Sequence, residues 1–133
     1  MSGITIGKLA RSAGVNVETV RFYERKGLLA QPERPQAGFR SYSNAALRRL
    51  RFIRSARELG FTLNEISELL ALRQNPSATC EDVRVRAREK INEIDRKLEL
   101  LGNMRISLTN LVQTCEVNGP ALACPILDSL EEV

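Results

Sequence analysis

The hydrophobic positions of the chain repeat at helical spacing through most of its length, with polar breaks between the repeats. The first repeat begins behind Thr5, a residue type that caps helix N-termini, and stops at Gly14. A second short repeat follows at once, with Asn16 as its cap and Gly27 at its end. Two short helices joined by a tight turn predict a helix-turn-helix. Five residues of the second helix are expected to lie on faces that do not contact the first helix: Glu18, Thr19, Arg21, Tyr23 and Arg25.

The segment from Leu28 to Tyr42 breaks the helical pattern. It contains two prolines and a glycine before the alternating sequence Phe39-Arg40-Ser41-Tyr42. Prolines and glycines mark turns, and alternation of apolar and polar residues marks a strand. The segment therefore predicts a small two-stranded wing with Arg40 at its basic tip.

Two further helices are expected after the wing. Ser43 caps a repeat that ends at Gly60. Its apolar face comprises Leu47, Leu50, Ile53, Ala56 and Leu59, and its outer face carries Arg48, Arg49, Arg51, Arg54 and Arg57. Thr62 and Glu65 then form a capping-box pattern that opens the next helix, and the segment Gln74-Asn75-Pro76-Ser77 breaks it.

The longest repeat starts behind Thr79 and runs to residue 114. Its apolar stripe advances in alternating steps of four and three: Ala87, Ile91, Ile94, Leu98, Leu101, Leu108 and Val112, with Arg105 as the one break. Such a heptad pattern requires a partner helix, and no second helix of comparable length is expected, so we predict a homodimer. Gly102 leaves open a hairpin that folds back at that residue, although the unbroken register favours one continuous helix.

Composition narrows the class of protein. Residues 1–60 contain twelve Lys or Arg against four Asp or Glu, and residues 61–133 contain eight against twelve. A basic block is either a solvated face or a footprint for phosphates, and the helix-turn-helix favours DNA. Histidine is absent and no cofactor motif is visible, so we do not expect an enzyme. The chain has no apolar run of membrane-spanning length and no hydrophobic N-terminal stretch, so we expect a cytoplasmic protein without a membrane partner.

The three cysteines are the candidate reactive groups. Cys80 and Cys115 are 35 residues apart, or five heptads, so both extend the apolar stripe. On one unbroken helix they lie ~52 Å apart and cannot share a metal ion. In an antiparallel dimer that crosses near Leu98, Cys80 of one subunit comes beside Cys115 of the other. Cys124 follows across a loop that can fold back, so the expected set is Cys80 from one subunit with Cys115 and Cys124 from the other.

The chemistry of this set favours a soft metal ion, but other interpretations remain. Three sulfurs without histidine select a thiophilic ion, whereas zinc normally wants four ligands. Free cysteines are also among the most buried residue types, so each thiol alone is better explained by packing. Cys115 and Cys124 are close enough in sequence for a disulfide that switches on oxidation. A DNA-binding architectural protein without an effector is a further alternative.

In sequence the chain resembles the MerR family of transcription regulators over essentially its whole length. Three segments carry the resemblance: TIGKLARSAGVNVETVRFYERKGLL, GFRSYS and IRSARELGFTLNEISELL. The spacing of Cys80, Cys115 and Cys124, with Cys124-Pro125-Ile126, is similar to the mercuric-ion-responsive branch. Lead and cadmium remain alternative ions, because both accept thiolate sites.

The resemblance implies a function and a set of DNA contacts. It implies a dimer that binds promoter DNA, represses without metal and, with Hg(II) bound, distorts the DNA so that RNA polymerase activates a mercury resistance operon. It implies contacts to the groove and phosphates from Arg21, Phe22 and Tyr23, and to the flanking backbone from Arg40 and Arg57. Thr19 and Arg25 are weaker candidates.

We therefore predict a mainly α fold in three parts. A winged helix-turn-helix DNA-binding domain occupies residues 1–74, and an antiparallel dimerisation helix occupies residues 79–114. A metal-binding loop and a short terminal helix complete the chain over residues 115–133.

Overall fold

The structure is a computed structural model that describes residues 3–32, 41–115 and 118–131. It is mainly helical, as predicted. The helices are α1 (Ile6–Ala13), α2 (Val17–Arg25), α3 (Asn44–Glu58), α4 (Leu63–Gln74), α5 (Cys80–Thr114) and α6 (Pro125–Glu131), with a 3-10 turn at Ala121–Ala123. The chain divides into two compact units, Met1–Val83 and Arg84–Val133, which are described separately below.

The N-terminal ends of the head helices are set by local capping, as the sequence predicts. The side chains of Thr5, Asn16 and Ser43 each accept a hydrogen bond from the backbone N–H three residues later. At the start of α4 the capping box is complete: the Thr62 N–H donates to Glu65 Oε1 at 2.8 Å, and the Glu65 N–H donates to Thr62 Oγ1 at 3.2 Å. Each cap satisfies backbone donors that a helix leaves unpaired at its N-terminus.

Glycines close the first two helices by adopting a left-handed conformation. Gly14 has φ +72° and Gly27 has φ +76°. After Gly14, the Val15 N–H donates to the Ala10 carbonyl at 3.0 Å, while the Gly14 N–H donates to the Arg11 carbonyl at 3.2 Å. This paired pattern is a Schellman motif, in which glycine avoids the steric cost that a Cβ brings at positive φ. The helix-turn-helix is confirmed, and its turn is built around Gly14.

The head unit has one hydrophobic core, formed where α1 packs on α2 and α3, and α3 packs on α4. The residues Leu9, Val20, Leu50, Ile53 and Ile66 are completely buried. Leu50 and Ile53 lie on the apolar face expected for α3, so the helical periodicity of that segment identified its core side correctly.

Two residues lie on the opposite side from the prediction. Leu59, expected in the core, is 65% exposed, whereas Tyr23, expected on an outer face, is only 7% exposed. Leu59 is the C-cap of α3, where the chain leaves the helix and the 3.6-residue register no longer applies. Tyr23 lies three residues after the buried Val20, so helical geometry places both on the same face.

Arginines on the predicted outer face of α3 also hold the backbone of neighbouring segments. The Arg54 guanidinium donates to the Ala13 carbonyl at 3.1 Å, and the Arg49 Nε donates to the Leu28 carbonyl at 2.9 Å. Both carbonyls lie at or just beyond helix C-terminal ends, where acceptors lack partners within the helix. These arginines therefore fasten the helix-turn-helix and the start of the wing segment to α3.

The predicted wing lies mostly outside the described residues, and its described end pairs with the start of the chain. Tyr42 forms an isolated antiparallel bridge with Ile4, at 2.8 Å and 2.9 Å between backbone nitrogen and oxygen atoms. Among the described residues, the bridge partner of Tyr42 is thus the extended residue Ile4 before α1. Ile4 and Tyr42 are far apart in sequence, so the local alternation of residues 39–42 did not reveal this pairing.

The second unit contains most of α5, which continues through Gly102 without a break. Its heptad stripe is uncovered in the single chain, and the large side chains on it are 40% to 64% exposed: Ile91, Ile94, Leu98, Leu101, Leu108 and Val112. The hairpin alternative at Gly102 is wrong. Within the described residues, no helix is long and apolar enough to cross a membrane.

One ion-pair group lies on the polar side of α5. Glu93 accepts from Lys90 Nζ at 2.9 Å and from Lys97 Nζ at 3.1 Å. Hydrogen bonds from Lys90 and then Lys97 lower the pKa of the Glu93 carboxyl below its ordinary value. Lys90 is buried, and the Glu93 carboxylate is one partner of its ammonium group.

Candidate DNA-binding surface and cysteine sites

Helix α2 presents one continuous polar face to solvent. Its exposed positions recur at helical spacing: Glu18, Arg21, Phe22, Arg25 and, at the C-cap, Lys26. Three of them, Arg21, Phe22 and Arg25, are expected DNA contacts. The opposite face buries Val20 and Tyr23 against the core. A face with three cations on the second helix of a helix-turn-helix is suited to contact phosphates and base edges in a DNA groove.

Phe22 is the apolar member of this face, and Lys26 is a cation that the sequence analysis did not single out. Phe22 is 37% exposed, so part of its side chain is accessible to a ligand. The Lys26 ammonium lies 5.6 Å from the centre of the Phe22 ring, a cation–π arrangement. Their i, i+4 spacing was the available signal, because residues four apart share one side of a helix.

The remaining expected contacts on α2 are less accessible. Both the hydroxyl and the N–H of Thr19 are bonded to the Asn16 side chain at 2.8 Å, so Thr19 serves the helix cap. The ring of Tyr23 is in the core. By contrast, Arg21 has an exposed side chain and only a 3.4 Å contact with Glu18, which leaves its guanidinium available to a ligand.

Two expected contacts belong to segments other than α2. Arg57, in the last turn of α3, is exposed, and its guanidinium reaches the Phe61 carbonyl only at 3.5 Å. Arg40 lies outside the described residues, so its predicted role at the wing stays a prediction.

The three cysteines lie at helix ends, and none is in a disulfide. Cys80 is the first residue of α5 and is exposed. Cys115 follows the last residue of α5, and its N–H donates to the Val112 carbonyl at 3.3 Å. Cys124 precedes α6, and its carbonyl accepts from the Asp128 N–H at 3.1 Å. The backbone around each thiol is thus held by a helix terminus.

A single chain does not bring the three thiols together as one site. Within the described ranges, no group of three or more His, Cys, Asp or Glu side chains is close enough to hold a metal ion. Cys80 and Cys115 are at opposite ends of a helix of 35 residues, which at 1.5 Å per residue is about 52 Å long. Any site that uses both thiols needs a second chain.

The sequence also matches known families over the same regions that form the head and the long helix. The family model described as "MerR HTH family regulatory protein" matches residues 4–72. A second family model, described as "MerR, DNA binding", matches residues 47–111. The chain belongs to the MerR family. Its relatives are transcription regulators rather than enzymes, in agreement with the sequence analysis.

Individual MerR-family members resemble the chain over nearly its full length. The mercuric resistance operon regulatory protein of Serratia marcescens is 41% identical over 131 residues, which cover 98% of this chain and 90% of the relative. Among solved structures, the lead(II) complex of the transcription regulator PbrR691 from Ralstonia metallidurans has a TM-score of 0.83 at 38% identity and covers 96% of this chain and 98% of that one. The mercury(II) complex of the dual function regulator MerR from Bacillus megaterium has a TM-score of 0.74 at 39% identity, with 96% and 99% covered.

Proposed function

We propose that this MerR-family protein is a mercury-responsive transcription regulator. It binds promoter DNA as a homodimer, represses without metal, and on binding Hg(II) distorts the DNA so that RNA polymerase can start transcription of a mercury resistance operon. The observation that carries the proposal is the position of the thiols, at the two ends of a continuous helix whose apolar face is uncovered. Promoter DNA as the target places the protein in the cytoplasm.

The dimer is supported by the exposed apolar stripe on α5. Large apolar side chains that repeat along one helix face and remain in water favour association with a complementary face. About a centre between residues 97 and 98, an antiparallel second copy pairs Ala87 with Leu108 and Ile94 with Leu101. In that arrangement Cys80 of one subunit meets Cys115 of the partner subunit, and the same pairing recurs at the other end.

The metal is supported by the chemistry of the donors. Cys80, with Cys115 and Cys124 of the partner subunit, supplies three sulfur ligands and no nitrogen ligand, which suits soft ions such as Hg(II). Lead(II) and cadmium(II) accept the same donors and are the alternatives. When bound, the ion supplies a strong link between the start of one α5 and the end of the other.

The DNA contacts are supported by the exposed face of α2. Arg21, Phe22 and Arg25 lie on this face, and we assign to them the main groove and phosphate contacts, with flanking phosphate contacts from Arg40 and Arg57. Thr19 supports this surface by capping α2. Tyr23, whose ring is buried, supports it from the core side, and any contact with DNA must come from its hydroxyl.

Transcription in vitro tests the proposal. A template with the operator is transcribed with RNA polymerase and the dimer, with Hg(II), Pb(II) or Cd(II) added separately at a fixed excess of competing thiol. We expect repression without metal and activation by Hg(II) at lower concentrations than by the other ions. Activation by Pb(II) or Cd(II) at lower concentrations than Hg(II) would reassign the ion.

Variants separate metal sensing from a redox switch. Cys124→Ser should abolish activation while leaving repression intact, and Ser129→Ala, a change on α6 without a thiol, serves as the control. An oxidant added without metal should leave the promoter repressed. Oxidant-driven activation that requires Cys115 and Cys124 would favour the thiol redox switch instead.

A further inference from the structure

A buried hydrogen bond joins α2 to the end of the wing segment. The Tyr42 hydroxyl donates to Glu24 Oε2 at 3.0 Å across 18 residues of chain. Tyr42 is 2% exposed and Glu24 is 8% exposed, so the bond is shielded from water. Glu24 faces away from the exposed face of α2 that carries Arg21 and Arg25.

A carboxyl group in this position is not explained by packing. Burying a carboxyl group is unfavourable unless its oxygens are bonded, and an apolar side chain of similar size would fill the same space without that cost. What a Glu–Tyr pair provides, and an apolar pair does not, is a directional link with a fixed length. The link therefore constrains where Tyr42 lies relative to α2.

The backbone on both sides of the wing segment is fastened as well. At its end, Tyr42 exchanges two backbone hydrogen bonds with Ile4. At its start, the Leu28 carbonyl accepts from Arg49 at 2.9 Å, and the side chains of Leu28 and Leu29 are buried. The two described ends of the segment, at Leu28 and at Tyr42, are thus both held to the head, and the second is also tied to α2 by a side chain.

We propose that Glu24 and Tyr42 are positioning residues that set the register between the DNA-reading face of α2 and the wing. Neither residue touches DNA, because both are buried. Their bond fixes where the chain that carries Arg40 rejoins the head, and so determines whether α2 and the wing engage the duplex together. This inference rests on the proposed DNA-binding function.

Operator binding by variants of the dimer tests the inference. Tyr42→Phe removes only the hydroxyl, and we expect affinity for an operator duplex to fall about three- to tenfold, the range for one lost hydrogen bond. If each wing of the dimer then loses one phosphate contact, the slope of log K against log salt should become shallower by about 1.8. Glu24→Leu should behave like Tyr42→Phe, whereas Glu24→Gln, whose amide oxygen still accepts the hydroxyl, should retain affinity and slope.

A double-mutant cycle with Arg40→Ala distinguishes positioning from general stability. If Tyr42→Phe acts through the wing, it should change affinity less than about twofold once Arg40 is already Ala. Ile66→Val is the control, because Ile66 is completely buried in the same unit but belongs to α4. Its effect on affinity should be the same with or without Arg40→Ala, and it should not change the salt slope.

The outcomes are distinct. If the wild-type protein binds the operator and Tyr42→Phe binds it with the same affinity and salt slope, the positioning role is overturned and the proposed function stands. A loss in Tyr42→Phe that persists in full beside Arg40→Ala would overturn it too, since the effect would then not pass through the wing. Wild-type protein that shows no preference for operator DNA would overturn both proposals.

Discussion

Replacing Gly14 with alanine tests how the turn of the helix-turn-helix is held. Gly14 has φ +72°, and a Cβ added there would lie 2.6 Å from an Arg54 guanidinium nitrogen. The left-handed conformation costs a non-glycine residue about 1 kcal/mol. The Cβ also displaces the guanidinium, which ends the 3.1 Å bond from Arg54 to the Ala13 carbonyl, worth about 1 kcal/mol at this half-exposed position. We expect Gly14→Ala to lower the free energy of unfolding by about 2 kcal/mol.

Gly27 provides a matched control. Its φ of +76° is nearly the same, but a Cβ there meets nothing within 4 Å. Gly27→Ala should therefore cost only the conformational part, about 1 kcal/mol. Urea denaturation followed by circular dichroism, at one protein concentration because the protein is expected to dimerise, measures both. Equal costs for the two variants, or a difference that survives in an Arg54→Ala background, would refute the role assigned to Arg54.

Three further predictions concern α5 and α4. Leu98→Glu places two carboxylates together at the centre of the proposed dimer and should shift sedimentation to monomer, whereas Leu100→Glu, equally exposed in one chain but off the stripe, should not. Because two lysines lower the pKa of Glu93, its ion pairs stabilise the fold above the ordinary carboxyl pKa and lose that effect as the pH falls below it. The destabilisation caused by Glu93→Gln, measured in urea, should therefore be present at neutral pH and disappear in acid. Thr62→Ala removes the cap of α4 and should cost about 1 kcal/mol, whereas Thr109→Ala, inside α5, should cost nothing.

The sequence predicted those parts of the fold that depend on neighbouring residues. The ends of α1 and α4 follow from Thr5, Gly14 and the Thr62 capping box, and each of these signals spans only a few positions. The continuity of α5 through Gly102 followed from the heptad register. Local periodicity is a reliable guide here because caps and stripes act within one or two turns.

Features that depend on distant partners were not predicted. The burial of Glu24 makes sense only once Tyr42 is known to lie beside it, and no pattern near Glu24 reveals that. The backbone acceptors of Arg49 and Arg54 were not predicted for the same reason, because they lie 21 and 41 residues away. A charged residue at a helix surface looks solvated until its long-range acceptor is known.

The candidate site also has a part that the sequence predicted and a part that it did not. The sequence placed Cys80 and Cys115 on one stripe, and the structure has them at the start and just beyond the end of one helix. On α2, it identified Arg21 and Arg25 but overlooked Lys26. The arrangement of the thiols around a metal depends on a second chain, which neither the periodicity of one chain nor its fold contains.

Mixed dimers give the most direct test of a metal site shared between subunits. A Cys80→Ser chain keeps only Cys115 and Cys124, and a Cys115→Ser, Cys124→Ser chain keeps only Cys80, so neither homodimer has a complete set. A heterodimer purified through two different tags restores one complete set and leaves the other end without any thiol. Binding is measured by thiolate-to-mercury charge-transfer absorption in the presence of a competing thiol. We predict one mercuric ion with three thiolate ligands per heterodimer and no three-thiolate complex in either homodimer. Three-thiolate binding by the Cys80→Ser homodimer, or none by the heterodimer, would contradict the shared site.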